Sequence, residues 1–215
     1  PTPIVSELDS LDDEVLVDIE RFCQGERPVG LWATSREDAL ERLRHFITKL
    51  LPNFGPHEDA MTTASWHLAH SMLSPYLNIG LLTPHEVCDA VQHEFDKGRV
   101  PLASAEGFIR QVIGWREYVW GLYWLWMPDY RGMNVLEADQ PLPACFSGAP
   151  THMRCVSVVL DEVRQHGWAH HIQRLMIIGN LSLIAGCSPQ DLTEWMWANF
   201  VDGAEWVMVP NVIGM

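Results

Sequence analysis

The sequence predicts an all-α fold. Apolar residues recur at three- and four-residue intervals through most of the chain, and strand-like alternation is nearly absent. Helix starts are marked repeatedly by Ser or Thr caps followed by Pro or an acid. The first element is "LDDEVLVDIERF", 11–22, with Val15, Leu16 and Ile19 at helical spacing. Next, "SREDALERLRHFITKLL" sets Leu40, Leu43, Ile47 and Leu50 along one face behind Ser35 as N-cap. "LPNFGPHED", 51–59, reads as a Pro/Gly-punctuated loop. "TPHEVCDAVQHEF", 83–95, carries Thr83 and Glu86 in capping-box spacing, with Pro84 at the first helical position. The longest helix predicted is "SAEGFIRQVIGWREYVWGLYWLW", 104–126; it is apolar nearly all round and therefore expected to be central and buried. "EADQPLPACFSGAP", 137–150, is a second loop, and "SPQDLTEWMWANF", 188–200, repeats the Ser-Pro-Asp start.

Bulk properties set limits. The chain has 215 residues, 47% hydrophobic and 20% charged, which is globular composition with enough length for a real core. A net charge of −14 excludes nucleic-acid binding by bulk charge and leaves only local patches. Residues 1–60 hold 13 acids against 6 bases, whereas 97–131 hold 5 bases against 3 acids. Five cysteines at 23, 88, 145, 155 and 187 include no Cys-x-x-Cys pair, so they read as reduced thiols in the cytoplasm rather than disulfides or a zinc site. No signal peptide is read at the start, and no 18-residue apolar run suits a bilayer. The chain begins at Pro1 and stops at "VPNVIGM", and reads as a piece of a longer protein. Ten tryptophans are far above ordinary usage; a large aromatic core and a set of stacking or electron-hopping rings both account for them.

The chemistry concentrates in "HGWAHHIQRLMIIGN", 166–180. At 100° per residue, Ile172, Leu175, Met176 and Gly179 form a buried stripe. His171 falls at the edge of that stripe, His170 nearly opposite, and Arg174 neighbours both. Residues alone leave this segment open between a boundary histidine on a carbonyl, with Arg174 pairing an acid, and a functional site. His166 and His170 have the spacing of a helical metal pair, but no Glu between them and no third ligand support one.

Four segments in register carry a resemblance. Trp168, His170, His171, Arg174 and Met176 resemble the flavin-site helix of photolyases and cryptochromes. "HSMLSPYLNIGLL", 70–82, is similar to that family's phosphate loop, and "GFIRQVIGWREYVWGLYW", 107–124, to its Trp-Arg-Glu helix. "NFVDGAEWVMVPNVIGM", 199–215, resembles its Asp-Gly stretch and the Pro-Asn turn beyond. The double histidine, "PHEDAM" at 56–61 and "EWVMVPNVIGM" resemble the bacterial iron–sulfur branch of cryptochromes and (6-4) photolyases.

The resemblance implies a multi-helix FAD-binding domain without the family's N-terminal α/β antenna domain. Residues 1–60 would be a helical linker leading in, and 61–215 the FAD-binding catalytic domain, truncated at its C-terminus. It implies that Ser71, Leu73 and Ser74 touch the FAD pyrophosphate, that Arg174 packs on the flavin and pairs with Asp202, that Arg116 faces FAD, and that Gln111 lines the lesion pocket. His171, with His170 behind it, would move a proton during repair, and Trp195 would pass electrons to the flavin. Cys155 matches the first of four ligands of a [4Fe–4S] cluster; the other three lie beyond Met215 in relatives, so no cluster is expected to assemble in this chain. Met208 stands where relatives often carry an acid. The implied activity is blue-light-driven repair of a flipped pyrimidine photoproduct, of (6-4) type, in damaged DNA, with Arg110, Arg116 and Arg131 forming a local positive rim. A photoreceptor without repair activity and an inactive fragment without flavin are the alternatives.

Overall fold

In a computed structural model, residues 2–22 and 26–214 are described. Twelve α-helices are present among them: α1 (Ser10–Ile19), α2 (Arg36–His45), α3 (Phe54–His57), α4 (Ser74–Asn78), α5 (Pro84–Asp96), α6 (Leu102–Ile109), α7 (Glu117–Trp126), α8 (Arg154–His166), α9 (His171–Gln173), α10 (Asn180–Ile184), α11 (Pro189–Asn199) and α12 (Glu205–Gly214). Wide π-turns continue α2 over Phe46–Leu50, join α6 to α7 over Arg110–Arg116, and join α9 to α10 over Arg174–Gly179. Among the described residues, β pairing is limited to one isolated bridge between Gln140 and Cys187.

The caps read from the sequence form. Ser35 Oγ accepts the Asp38 N–H at 3.1 Å, Ser188 Oγ that of Asp191 at 3.2 Å, and Thr83 and Glu86 close a reciprocal capping box. Two apolar cores result. One joins Leu43, Phe46, Leu51 and Phe54 to Leu73, Val87, Phe108 and Val112. The other joins Val156, Val159, Leu160 and Val163 of α8 to Ile178, Met196, Phe200 and Met208. Polar side chains cross the seam between them: Trp32 Nε1 donates to His166 O at 2.8 Å, and Asn78 Nδ2 to Asp202 O at 2.8 Å.

Several expectations are corrected. The loop expected at 51–59 contains a 3₁₀ turn (Leu51–Asn53) and α3. Helix α1 forms, held by an Asp9–Asp12 capping box, but buries none of its residues, because nothing described packs over Leu11, Val15 and Val17. The 102–126 helix is continuous but not central. Phe108, Val112 and Val119 are buried, while Trp115 is 60% and Trp124 65% exposed, with Ile113, Tyr118, Trp120, Leu125 and Trp126 also exposed. Apolarity on every side shows that every side is greasy, not that every side is covered. The ten tryptophans are therefore not a core: among them Trp168 alone is fully buried in the described residues. The turn expected at Pro210 is instead the interior of α12, where Asn211 Nδ2 donates to Val207 O at 2.6 Å.

Candidate functional site

The seam holds the candidate site. His170 has extended backbone (φ −71°, ψ 160°) and caps α9, its N–H donating to Gln173 Oε1 at 3.3 Å. The helix starting at His171 places Arg174 in its first turn. There Arg174 Nε donates to Ala169 O at 2.6 Å, and Nη1 and Nη2 donate to Asp202 Oδ1 and Oδ2, each at 3.0 Å. This bidentate fork fixes the guanidinium plane. Phe200 packs under that plane, its ring centroid 4.0 Å from Arg174 Cζ, and Trp168 flanks it at 5.9 Å. The Asp-Gly order has a steric cause: a Cβ on Gly203 would sit 2.5 Å from Trp197 O and 2.7 Å from Phe200 O. Opposite, Gly167 takes φ +63° and its carbonyl accepts the Val201 N–H at 2.7 Å, pinning the 200–203 loop.

From the other core, α4 reaches the same carboxylate. Ser74 Oγ donates to Asp202 Oδ2 at 2.6 Å. Asn78, one turn on, is held in place by Arg116, whose Nη1 donates to Asn78 Oδ1 at 2.7 Å and Nη2 to Leu77 O at 3.1 Å. The Arg116 guanidinium lies 4.6 Å from the Trp206 ring. Ser74, Arg116, Arg174 and Asp202 thus belong to one network spanning 128 residues of chain. Asn78 was not picked from the sequence; its i, i+4 spacing from Ser74 on α4 is the signal that finds it. Nearby, Ser71 Oγ accepts the Leu73 N–H at 3.3 Å, and the Leu73 side chain is core, so only its backbone is available to a ligand.

The two histidines exchange the places expected of them. His170 is buried at 1% exposure and His171 is exposed. The 100° rule does not apply at His170, which precedes the helix, and the π-turns from Arg174 rotate the buried face onto Gln173 and Ile178 while Met176 faces outward. The His70 ring stacks on His170, centroids 4.6 Å apart and 5° from parallel. Burial first, then the neighbouring His70, Arg174 and His171, pushes His170 down to about 3, so it is neutral near pH 7. Trp168 Nε1 and His170 Nε2 are buried without a hydrogen-bond partner. Orphaned donors and acceptors beside a fixed guanidinium suit a polar, aromatic-bearing ligand.

The remaining expected site residues lie apart from that network. Gln111 Nε2 donates to Glu58 Oε1 at 2.5 Å and Gly107 O at 3.2 Å, and Glu58 O in turn lies 3.0 Å from His70 Nε2, which links Gln111 to the histidine stack. Burial raises the Glu58 carboxyl above its ordinary range. Neither Glu58 nor His70 was picked from the sequence. Trp195 Nε1 donates to Phe146 O at 2.9 Å, and its ring lies 5.9 Å from Phe200, one ring removed from Arg174. Cys155 is exposed at the start of α8; Cys88, Cys145 and Cys187 are free thiols, and Cys23 lies outside the described residues. No group of three or more His, Cys, Asp or Glu able to hold a metal occurs among the described residues. Of the three arginines of the expected positive rim, two are paired with acids, Arg110 with Glu106 at 3.6 Å and Glu58 at 4.0 Å and Arg131 with Glu194 and with Glu205 at 3.1 Å, while Arg116 is engaged by Asn78 and Leu77. No helix of the described residues is long and apolar enough to cross a membrane.

No protein-family model matches the chain. It is 44% identical over 210 residues to a (6-4) photolyase of Agrobacterium fabrum, covering 96% of this chain. The chain spans 41% of that relative's length. Among solved structures, a cryptochrome of Synechocystis aligns with TM-score 0.73 at 19% identity over 91% of this chain and 43% of its own. A class III photolyase of Agrobacterium tumefaciens aligns with TM-score 0.66 at 18% identity over 85% of this chain and 38% of its own. The helical fold of the described residues and the 44% identity over 96% of this chain agree, and the chain belongs to the photolyase/cryptochrome superfamily.

Proposed function

We propose that the chain is the FAD-binding portion of a light-driven DNA photolyase acting on (6-4) photoproducts, with 61–215 forming that portion and 1–60 leading into it. The reading is carried by one observation, the Ser74–Asp202–Arg174 joint that ties the two cores at the residues where the family resemblance places the flavin. Reduced FAD, when bound, supplies the blue-light absorber and the electron donor. The chain's own residues do the rest. Ser71, Ser74 and the backbone at Leu73 hold the pyrophosphate at the α4 start. Arg174, oriented by Asp202, lies beside the ring system and favours negative charge on it. Arg116 steadies the α4 end through Asn78. His171, exposed at the helix start, donates the proton that hydroxyl migration in a (6-4) lesion requires, with buried neutral His170 behind it. Gln111 borders the lesion pocket, and Trp195, through Phe200, returns electrons to the flavin. Damaged DNA is the partner. In a protein extending past the Pro210 helix, Cys155 would contribute one ligand to an iron–sulfur cluster.

The test uses the purified chain: FAD quantified by mass after denaturation, then repair of a (6-4)-containing oligonucleotide under blue light. Bound FAD and repair, with repair lost in His171→Ala while FAD is retained, is the expected result. Photoreduction without repair in the wild type replaces this reading with a photoreceptor, and absence of flavin removes the cofactor assignment for this chain.

A further inference from the structure

A side-chain clasp closes the junction between α8 and α9. Glu162 stands on α8 next to the buried Val163 and is itself half-buried, a place where a carboxylate needs a donor. Its carboxylate has one polar partner among the described residues: Gln173 Nε2 donates to Oε2 at 2.7 Å, across 11 residues of chain. Gln173 is 4% exposed and turns its other end to the backbone, Oε1 accepting the His170 N–H at 3.3 Å. Burial raises the Glu162 carboxyl above its ordinary range, and the Gln173 N–H draws it back. The direction of these bonds is set by chemistry. An ionised carboxylate only accepts, so the amide meets Glu162 with its NH2 and His170 with its oxygen. A reversed amide would set NH2 against the His170 N–H, donor against donor. With the bonds as they stand, His170 keeps extended backbone (ψ 160°) and the helix starts at His171. The Arg174 N–H then donates to His170 O at 3.2 Å. An apolar side chain at 173 would fill the same space and leave the His170 N–H without that acceptor.

We propose that Glu162 and Gln173 are positioning residues for the repair reaction: their clasp sets where α9 begins, and so holds His171 outward with His170 buried behind it. The chemistry rests on the photolyase reading, and the geometry on the two bonds. Both side chains act through the His170 backbone rather than on the lesion.

A reciprocal exchange tests the clasp. Gln173→Glu alone sets two carboxylates against each other. Adding Glu162→Gln rebuilds the clasp with its polarity reversed: the new amide at 162 donates to the new carboxylate at 173, whose second oxygen accepts the His170 N–H. Amide hydrogen exchange over 170–174 is read in wild type, Gln173→Glu and the double variant, with bound FAD measured on the same samples. Protection should fall about ten-fold in Gln173→Glu and return to within about three-fold of wild type in the double variant. Repair of a (6-4)-containing oligonucleotide under blue light should follow, with kcat down about ten-fold in Gln173→Glu, KM within about two-fold, flavin retained, and kcat recovered in the double variant. Unchanged protection in Gln173→Glu overturns the inference, and so does a double variant no better protected than the single. If Gln173→Glu does not fold, the double variant decides: folded and protected supports the clasp, unfolded overturns it. Lost protection with undiminished kcat overturns the positioning role. A wild type that holds FAD and repairs nothing defeats the photolyase reading instead, and the exchange result then judges the clasp by itself.

Discussion

The imidazoles of His70 and His170 lie face to face, 4.6 Å apart and 5° from parallel, joining the two cores by their rings. His70 places its two nitrogens 3.0 Å from the carbonyls of His67 and Glu58, whereas His170 keeps a buried, unpartnered Nε2. A proton on His170 is therefore excluded by burial and by its cationic neighbours, and its pKa falls from 6.5 to about 3. Between those values the unfolded chain binds a proton that the folded chain does not. Stability is thus fully present above pH 6.5 and declines as pH falls toward 3. One such group contributes a slope of at most about 1.4 kcal/mol per pH unit. Urea unfolding of wild type and His170→Gln from pH 4 to pH 7 checks this as a difference in slope, on the order of 1 kcal/mol per unit. Parallel slopes would show that His170 titrates normally.

Asp202 accepts from Arg174 twice and from Ser74 once, at a position where both side chains of the ion pair are largely buried. Asp202→Asn leaves the guanidinium uncompensated and should cost about 3 kcal/mol. Ser74→Ala should cost about 1 kcal/mol in the wild type and less in the Asp202→Asn background, because the two share an oxygen. A double-mutant cycle by urea midpoint measures that coupling. Additive effects would mean that the two bonds do not share an oxygen in solution.

What was legible in the sequence follows the physics of each signal. The caps at Ser35, Thr83 and Ser188 are local and came out as read. The meeting of Arg174 with Asp202 was legible only through family resemblance, since no local rule links residues 28 apart. Helix α8 carries its signal in Val156, Val159, Leu160 and Val163, spaced three and four apart, but has no side-chain cap to mark its start. The His170/His171 exchange was not readable. It depends on where the helix begins and on a π-turn that no periodicity announces. The exposed tryptophan face of α7 was misread because composition measures greasiness and not coverage.

Two glycines on crowded helices should respond differently to alanine. At Gly55 of α3 the new Cβ would meet backbone of α6, with Ala103 C at 2.7 Å and Ser104 N at 2.8 Å. At Gly107 it would meet Glu58 Oε2, the end of a side chain, at 2.7 Å. Backbone cannot yield without separating α3 from α6, whereas a carboxylate swings away. Gly55→Ala should therefore cost more than about 2 kcal/mol and Gly107→Ala about 1 kcal/mol or less. Gly107→Ala should also push the Glu58 carboxylate toward water and so relieve the burial that raises its pKa, visible as a changed pH dependence of stability. Equal costs by thermal unfolding would refute the helix-approach argument.

The outer face of α7 offers the sharpest separation of packing from composition. Trp124 and Leu125 are 65% and 69% exposed, while Val119 on the same helix is buried at 8%. Large apolar groups in water add nothing to folding that their polar replacements lack, so Trp124→Gln with Leu125→Gln should change the unfolding free energy by no more than about 0.5 kcal/mol. Val119→Ala should cost more than about 1 kcal/mol, since it removes buried methyls next to α12. The same double change should lower binding of a hydrophobic dye and reduce self-association in sedimentation, because an apolar face of this size is adhesive. If the double variant loses as much stability as Val119→Ala, then Trp124 and Leu125 are covered in solution and the one-sided packing of α7 is wrong.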